Sequence, residues 1–405
     1  MAKEDEENEK IRVEESVLTE NLPEVLILEI LSYLPVKSLL RFRCVCKFWY
    51  DLITDSAFVK MHLRRSLVSN TNLNVVFINL RSSFNLVGFL VSELHRYSDD
   101  LDVWEQEVVV RHPFKLPHYL GYVVGSCNGL LCLMTCNSTK REILLWNPST
   151  RRHQKLPSIP KEISCFGSTF NGKFEYIVNG FGHDPTTDDY KFVRIVKFRG
   201  ALDSLVTVFS LRTNSWRRVG NMPFCLNKSY FSMLFANSAL HWIANREPEP
   251  NTTSSFIGSF DLQDEEYREL PLPDFDFVKN NAPMKLAVLG GQLCVLWPFL
   301  GVRVEVWLMK EYGVRDSWEK QFSIEQPRIE QPWVMRNLEF LRPICYSKTG
   351  EVILQIDLDA VVLFDPRRRR VRNLIVYGAP DLFEIESFVG SLVPLNAKDG
   401  TYSCW

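Results

Sequence analysis

A block of strands recurs along the last three quarters of the chain, and this recurrence restricts its fold more than any other feature. Each block has an apolar strand, a polar turn rich in Asn, Asp, Gly or Pro, a second strand and an aromatic side chain at an equivalent place. The aromatic residues lie 63, 51, 47 and 57 residues apart: Trp146, Phe209, Phe260, Trp307 and Phe364. Repeats of roughly 50 residues are typical of small four-stranded sheets stacked around an axis. Because one such sheet cannot cover both of its own faces, a closed ring of sheets is predicted.

Five repeats are visible, and fainter strands between Asn74 and Val110 supply a further one. Beyond Arg65 few stretches keep a helical period over eleven residues, which argues against a helical domain there. A ring also removes the long exposed strand edges that invite aggregation. We therefore predict a mainly β chain with a small α module at its N-terminal end, followed by a β-propeller of about six blades.

The stretch from Leu22 to Ile53 carries the helical patterns of the chain. Apolar residues cover nearly the whole circumference of a helix from Val25 to Leu34, and Pro35 ends it. A second pattern places apolar residues three or four apart on one stripe: Leu39, Phe42, Cys46, Trp49 and Ile53. A helix that is apolar all round must be buried all round. The residues leave open whether the chain itself or a partner covers it.

In order and spacing these residues resemble the F-box. The matching positions are Leu22-Pro23, Glu29-Ile30-Leu31, Leu34-Pro35, Val45-Cys46-Lys47 and Trp49, continuing through Phe58 and His62. The resemblance implies that the helices bind a Skp-type adaptor, which joins the protein to a cullin-RING ubiquitin ligase. Carried over position by position, the adaptor contacts are Leu22, Pro23, Ile30, Leu31, Leu34, Val45, Cys46 and Trp49.

The repeat region resembles the F-box-associated domain of plant F-box proteins, a kelch-like domain. The resemblance rests on "SCNGLLCL" from Ser126, "LWNPSTRR" from Leu145, "GFGHDPTTDDYKFVRI" from Gly180 and "ALHWIA" from Ala239, with His183 where Tyr is common. We expect a disordered acidic tail over residues 1–20, an F-box over 21–66, the propeller over 67–395 and a C-terminal tail over 396–405. Residues 1–20 carry eight Asp or Glu and too few apolar side chains to order themselves.

Together the two resemblances imply the substrate-recognition subunit of an SCF-type ubiquitin ligase, which holds a target protein and is not itself an enzyme. Target contacts are expected in the loops between strands, because loops on a rigid scaffold carry recognition. The candidates are Asp99, Asp184, Asp188, Arg246 and Asp276. The alternative is a kelch-type propeller enzyme or small-ligand binder with a helical appendage. That alternative needs polar groups converging on the ring axis, and the sequence offers no recognisable set.

Composition favours an intracellular protein, cytoplasmic or nuclear, that binds other proteins. The 47 basic and 49 acidic residues give no overall bias toward nucleic acid or an anionic membrane, and no apolar run is long enough to cross a bilayer. The ten cysteines contain no Cys-x-x-Cys pair and are expected to be reduced.

No cofactor or metal is expected. We interpret Cys127, Cys132 and Cys136 as core residues, since their spacing fits no common zinc pattern. Asp184, Asp188 and Asp189 lack the glycine and closing glutamate of a calcium loop. The run Arg367 to Arg370, with Arg372, is interpreted as a solvated turn, with a nuclear address or a phosphate patch as the alternative.

Overall fold

The structure is a computed structural model. It describes residues 23–69, 72–79, 89–93, 97–98, 103–104, 108–110, 120–136, 141–159, 174–198, 204–226, 232–245, 255–274, 284–299, 302–325, 341–347, 349–376 and 382–395.

Four helices form a helical module over residues 23–69: α1 Glu24–Ser32, α2 Val36–Phe42, α3 Lys47–Thr54 and α4 Ser56–Val68. Proline precedes both α1 and α2, where a missing amide hydrogen costs nothing. The carboxylate of Asp55 caps α4 by accepting hydrogen bonds from the amides of Ala57 and Phe58, at 2.8 and 3.1 Å. The second helical pattern of the sequence is two helices, because Cys46 is extended at φ −157° and separates α2 from α3.

The β region begins with five strands: β1 Leu73–Asn79, β2 Phe89–Glu93, β3 Tyr97–Ser98, β4 Val103–Trp104 and β5 Val108–Val110. Blade 1 consists of β6 Leu120–Cys127, β7 Leu130–Cys136, β8 Arg141–Asn147 and β9 Arg152–Lys155. Blade 2 consists of β10 Phe174–Asp184, β11 Asp189–Phe198, β12 Ser204–Ser210 and β13 Ser215–Arg218. Blade 3 consists of β14 Cys225–Leu226, β15 Leu234–Ala236, β16 Ala239–Asn245, β17 Ser255–Asp261 and β18 Tyr267–Leu270.

Blade 4 consists of β19 Lys285–Leu289, β20 Gln292–Phe299, β21 Arg303–Met309 and β22 Trp318–Glu325, with a 3₁₀ turn at Arg315–Ser317. Blade 5 consists of β23 Leu341–Tyr346, β24 Val352–Ile356, β25 Ala360–Asp365 and β26 Arg370–Asn373. The last strands are β27 Ile375–Val376 and β28 Phe383–Val389. All pairings within the five blades are antiparallel.

The two ends of the β region share one sheet. It has the order β28-β1-β2-β5, and we call it the closing sheet. A second, three-stranded sheet has the order β27-β4-β3. The described residues thus contain five blades of consecutive strands, rather than about six of that kind, and one sheet of mixed origin.

The sheets form a ring through their inner strands. β6 contacts β10, β10 contacts β15, β15 contacts β19, β19 contacts β23, β23 contacts β28, and β28 contacts β6. The succession returns to its starting point because the final strand, β28, pairs with β1 from Leu73↔Val389 to Asn79↔Phe383. In a ring closed in this way each sheet packs between two neighbours, so no sheet is left with an uncovered face.

Four of the five recurring aromatic residues are core residues of the strand before the outer strand of their blade. Trp146, Phe209, Phe260 and Phe364 each immediately precede the last residue of that strand and are at most 2% exposed. Trp307 does not follow this pattern. The equivalent position in β21 belongs to Leu308, at 1% exposure, because the register shifts between Val306 and Trp307. The recurrence therefore reflects packing between sheets, with one residue misaligned.

Helix α4 attaches the helical module to the ring. Its buried side chains Phe58, Val59 and Leu63 share one core cluster with residues of blades 1 and 2 and with the segment that follows β28. The ring residues that contribute to this cluster include Cys127, Leu130, Phe181, Phe209, Val389, Leu392, Val393 and Leu395. At the edge of the contact the ammonium group of Lys60 lies 2.6 Å from a carboxylate oxygen of Asp188. The helices therefore rest on the side of the ring where β10 ends.

Candidate functional site

Helix α1 has one covered and one open apolar face. Ile27, Leu28 and Leu31 face the core cluster that α1 shares with the other helices and the ring, and Leu31 is only 1% exposed. On the other side, Val25 is 73%, Leu26 49% and Ile30 55% exposed. Leu26 and Ile30 lie one turn apart and Val25 precedes Leu26, so the three form an exposed apolar face of the helix. The chain covers only half of a helix that is apolar all round.

An arginine of α4 holds α1 in this orientation. The guanidinium of Arg65 donates a hydrogen bond to the carboxylate of Glu29 at 2.7 Å and a second to the hydroxyl of Ser32. Its central carbon lies 3.9 Å from the ring centroid of Tyr33, a cation–π contact. Because one side chain contacts three residues at the end of α1, the open apolar face keeps a fixed position relative to α4.

A buried histidine fastens the turn after α1. His62 of α4 is 0% exposed, and its Nε2 lies 2.9 Å from the carbonyl oxygen of Leu34, to which it donates. Burial lowers the pKa of His62 below its ordinary value, because the charged form loses its hydration there. The neutral ring is therefore the form that holds Leu34 in place.

The turn between α2 and α3 adds further open apolar surface. Val45 is 61% exposed, while Cys46 and Trp49 behind it are half-buried. The indole of Trp49 packs edge-on against Phe42, with ring centroids 5.2 Å apart. Exposed apolar side chains on a small module are characteristic of protein interaction sites. We use the name open apolar surface for the exposed apolar residues of both places, which are Val25, Leu26, Ile30 and Tyr33 of α1 and its end, and Val45 before α3.

The seven expected adaptor contacts within the described residues are exposed, half-buried or buried. Pro23, Ile30 and Val45 are exposed, and Leu34, Cys46 and Trp49 are half-buried. Leu31 is buried inside the chain, so its side chain supports α1 and has no area to offer a partner. Leu22 lies outside the described residues. The contact set as a whole stays a prediction.

Sequence reasoning missed Val25, Leu26 and Tyr33 as exposed members of the same surface. Tyr33 is 66% exposed, directly behind the last turn of α1. The helical period could have identified these three residues. Positions 25, 26 and 33 share a face of α1 with Ile30 and lie opposite Leu28 and Leu31.

The target candidates on the turn between β10 and β11 are engaged inside the chain. Asp184 is 0% exposed; its carboxylate accepts hydrogen bonds from the amides of Thr186 and Thr187, and lies 3.1 Å from the ammonium of Lys191. Burial by itself raises the pKa of Asp184, but the hydrogen bonds from Thr187 and Lys191 outweigh it and lower that pKa. A carboxylate placed in this way shapes its own turn and presents nothing to a target.

Asp188 lies on the same turn and pairs with the helical module. Lys60 contacts one of its oxygens and His183 contacts the other at 3.0 Å, and these partners lower its pKa. Its side of the ring is thus the side that the helices occupy. The remaining candidates, Asp99, Arg246 and Asp276, lie outside the described residues.

The described residues show no group of three or more His, Cys, Asp or Glu side chains that could hold a metal ion. Cys127 and Cys132 are buried, and burial raises the pKa of both thiols. Asp189, the third aspartate considered for calcium, accepts a hydrogen bond from the amide of Arg212 at 2.8 Å. Its hydrogen-bond partner therefore differs from those of Asp184 and Asp188. Within the same described part of the chain, no helix has both the length and the apolarity to cross a membrane.

Some connections between strands begin and end on the side of the ring away from the helices. β7, β11, β16 and β20 run away from the helix side, and their antiparallel partners β8, β12, β17 and β21 run back to it. The residues that connect these pairs, 137–140, 199–203, 246–254 and 300–301, lie outside the described residues. The strand ends that flank them therefore lie opposite the helices.

Comparison with known proteins gives two matches to protein families. Residues 20–61 match the F-box domain, and residues 84–387 match the F-box associated beta propeller domain. The second match alone spans more than half of the chain.

Similar proteins are found in Arabidopsis thaliana. F-box protein CPR1 is 32% identical and the match covers 92% of this chain and 88% of that protein. A second F-box protein is 28% identical over 92% of both chains. An F-box/kelch-repeat protein is 30% identical, with coverage of 83% and 85%. Among solved structures, TolB from Acinetobacter baumannii overlaps with 82% of this chain and 71% of its own, at 10% identity and a TM-score of 0.41.

Proposed function

The chain belongs to the F-box proteins that carry an F-box associated beta propeller domain, and from this premise we propose that it is the substrate-recognition subunit of an SCF-type ubiquitin ligase. In this proposal the helical module binds a Skp-type adaptor, and the ring holds a target protein for ubiquitination. The chain acts without catalytic residues of its own, since holding two reactants together raises their effective concentration.

One observation supports the adaptor contact above all others. The open apolar surface remains uncovered although the helical module is packed firmly on the ring through Phe58, Val59 and Leu63. Had the helices existed only to pack on the ring, Val25 and Ile30 would lie in that contact. Their exposure fits a partner protein that completes the burial of α1.

The proposal places target binding on the side of the ring away from the helices. Two of the expected target contacts, Arg246 and Asp276, belong to the connections that follow β16 and β18, two strands that end on that side. Asp184 and Asp188 lie on the helix side and are engaged within the chain. A target on the far side leaves the adaptor unobstructed on the near side.

The adaptor contact can be tested with a double variant, Ile30→Ser with Val45→Ser. Burying a large aliphatic side chain is worth about 1.5 to 3 kcal/mol, and roughly half of each is still open, so each substitution removes about 1 kcal/mol of binding energy. The pair weakens binding of purified Skp-type adaptor to the full chain by about 30-fold, because 1.4 kcal/mol corresponds to a factor of ten. Titration calorimetry measures the affinity.

Val302→Ser is the matched control. Val302 is 56% exposed, as Ile30 is at 55%, but it lies between β20 and β21 on the side of the ring away from the helices. Its substitution leaves adaptor affinity unchanged. Undiminished affinity in the Ile30 and Val45 double variant, with the fold intact by circular dichroism, contradicts the proposal.

A further inference from the structure

The turn between β25 and β26 presents an unusual density of positive charge. Arg367, Arg368, Arg369 and Arg370 follow one another, and all four side chains are exposed. Arg368 lies 3.4 Å from the carboxylate of Asp365, but Arg367, Arg369 and Arg370 make no ion pair with the described part of the chain. We call these four residues the arginine turn.

The backbone of this turn does not require arginine. Asp365 accepts hydrogen bonds from the amides of Arg367 and Arg368, at 2.9 and 3.1 Å, which is an Asx turn. Asn147 makes the same pair of bonds to Ser149 and Thr150 in blade 1. Asp184 makes them to Thr186 and Thr187 in blade 2.

Even the left-handed residue of the turn recurs with different side chains. It is Arg369 at φ 53° in blade 5, Arg151 at 58° in blade 1, Asp188 at 52° in blade 2 and Glu265 at 61° in blade 3. The same scaffold carries Ser, Thr, Asp, Gln or Glu at most of these positions elsewhere, although Arg151 and Arg152 of blade 1 match Arg369 and Arg370. Among these turns only that of blade 5 has three arginines, followed by Arg370 at the start of β26. Since the turn forms with other side chains in other blades, the fold does not explain the positive charge here. We therefore look for a binding partner of that charge. Adjacent like charges repel, and an acidic segment lying across them removes that repulsion.

The chain itself contains an acidic segment that can reach the turn. Residues 1–20 carry eight Asp or Glu against three Lys or Arg. The segment joins the helical module at Pro23, on the same side of the ring as the arginine turn, because the turn follows the end of β25 as the Asp188 turn follows the end of β10. Blade 5 also neighbours the closing sheet, on whose final strand α4 rests. Twenty residues span up to about 65 Å when extended.

We propose that the arginine turn is a docking surface for an acidic chain segment and that residues 4–20 of this chain occupy it. The contact is electrostatic and exposed, so it weakens as salt screens it and can be displaced by another acidic protein segment. Binding of a tethered segment also benefits from its high effective concentration, which a weak contact of this kind needs.

The test uses the full chain and a Glu-specific endoprotease, with intact mass spectrometry to follow cleavage after the glutamates of residues 4–20. In the variant Arg367→Ser, Arg369→Ser and Arg370→Ser, cleavage of the segment in low salt becomes at least about fivefold faster than in the wild type, because a protease acts on the undocked population. In 0.5 M NaCl the two proteins are cleaved at about the same rate, because the Debye length is then only a few ångströms.

A control variant removes the same number of charges from exposed positions of blades 1 and 2: Arg151→Ser, Arg212→Ser and Arg218→Ser. Its segment is cleaved at the wild-type rate in low salt. Equal cleavage of wild type and arginine-turn variant in low salt overturns the proposal. The proposal is also overturned if the control variant is cleaved as fast as the arginine-turn variant, because the loss of any three positive charges then explains the effect. If a polyglutamate probe binds the turn while cleavage of residues 4–20 is unaffected, a foreign acidic segment is the occupant and this chain's own segment is not.

Discussion

Shortening two neighbouring residues of α1 to alanine is expected to change two different properties, folding stability for Leu31 and adaptor affinity for Ile30. Leu31 is 1% exposed and sits in the core cluster that joins the helical module to the ring. Leu31→Ala leaves a cavity there and costs about 2 to 5 kcal/mol of folding free energy. Ile30 is 55% exposed, so Ile30→Ala changes the folding free energy by no more than about 0.5 kcal/mol. Its cost appears only when a partner covers α1, at about 1 kcal/mol or fivefold in affinity.

Two measurements separate these outcomes. Urea unfolding of the full chain, followed by circular dichroism, gives the loss of stability for each variant. Calorimetric titration with a Skp-type adaptor, at a temperature where both variants are folded, gives the affinity. We expect Leu31→Ala to lower the urea midpoint while the folded protein still binds within about twofold of the wild type. A stable Leu31→Ala protein that no longer binds would place Leu31 on the partner surface and refute the assignment of the two faces.

Two further predictions concern the ring. Gly129 has φ +82°, and a Cβ there would overlap the carbonyl oxygen of Val389 and the side chain of Ser391, so Gly129→Ala lowers stability by about 2 to 4 kcal/mol in thermal unfolding. Gly350→Ala, at φ +85° with no atom within 4 Å, should show only the smaller conformational part of that loss. Burial lowers the pKa of His241 to about 4. Below pH 6.5 the unfolded chain binds a proton at His241, whereas the folded chain does not. The free energy of unfolding therefore falls by about 2 kcal/mol from pH 7.5 to pH 5. His241→Gln should flatten that decline, and an unchanged pH profile would contradict the reasoning.

The sequence predicted the elements that depend on local rules. The pattern from Val25 to Leu34, ended by Pro35, predicted a helix where α1 runs over Glu24–Ser32. The aromatic recurrence falls in the strand before the outer strand of every blade, one position early in blade 4. The turn residues also follow local chemistry, since Asn147, Asp184 and Asp365 each cap their own turn.

What the sequence could not predict depends on contacts between distant residues. Nothing local distinguishes Ile30 from Leu31, because both are large and aliphatic and the helix is apolar all round. Only the position of α4 decides which one is covered. Asp184 and Asp188 looked like free loop carboxylates, but Lys191 and Lys60, which pair with them, come from a neighbouring strand and from the helical module. The pairing of β1 with β28 joins residues more than 300 positions apart.

The segment after β28 links ring closure to the position of the helices. It leaves the closing sheet at Val389, and the side-chain amide of Asn147 in blade 1 donates to its carbonyl oxygens at Ser391 and Val393, at 3.1 and 2.9 Å. Leu392, Val393 and Leu395 of the same segment belong to the core cluster that contains Phe58 and Leu63 of α4. The surface on which α4 rests is thus complete only once β28 has closed the ring. Because one segment serves both purposes, the direction of the open apolar surface relative to the far side of the ring is set by the fold and not by a flexible linker.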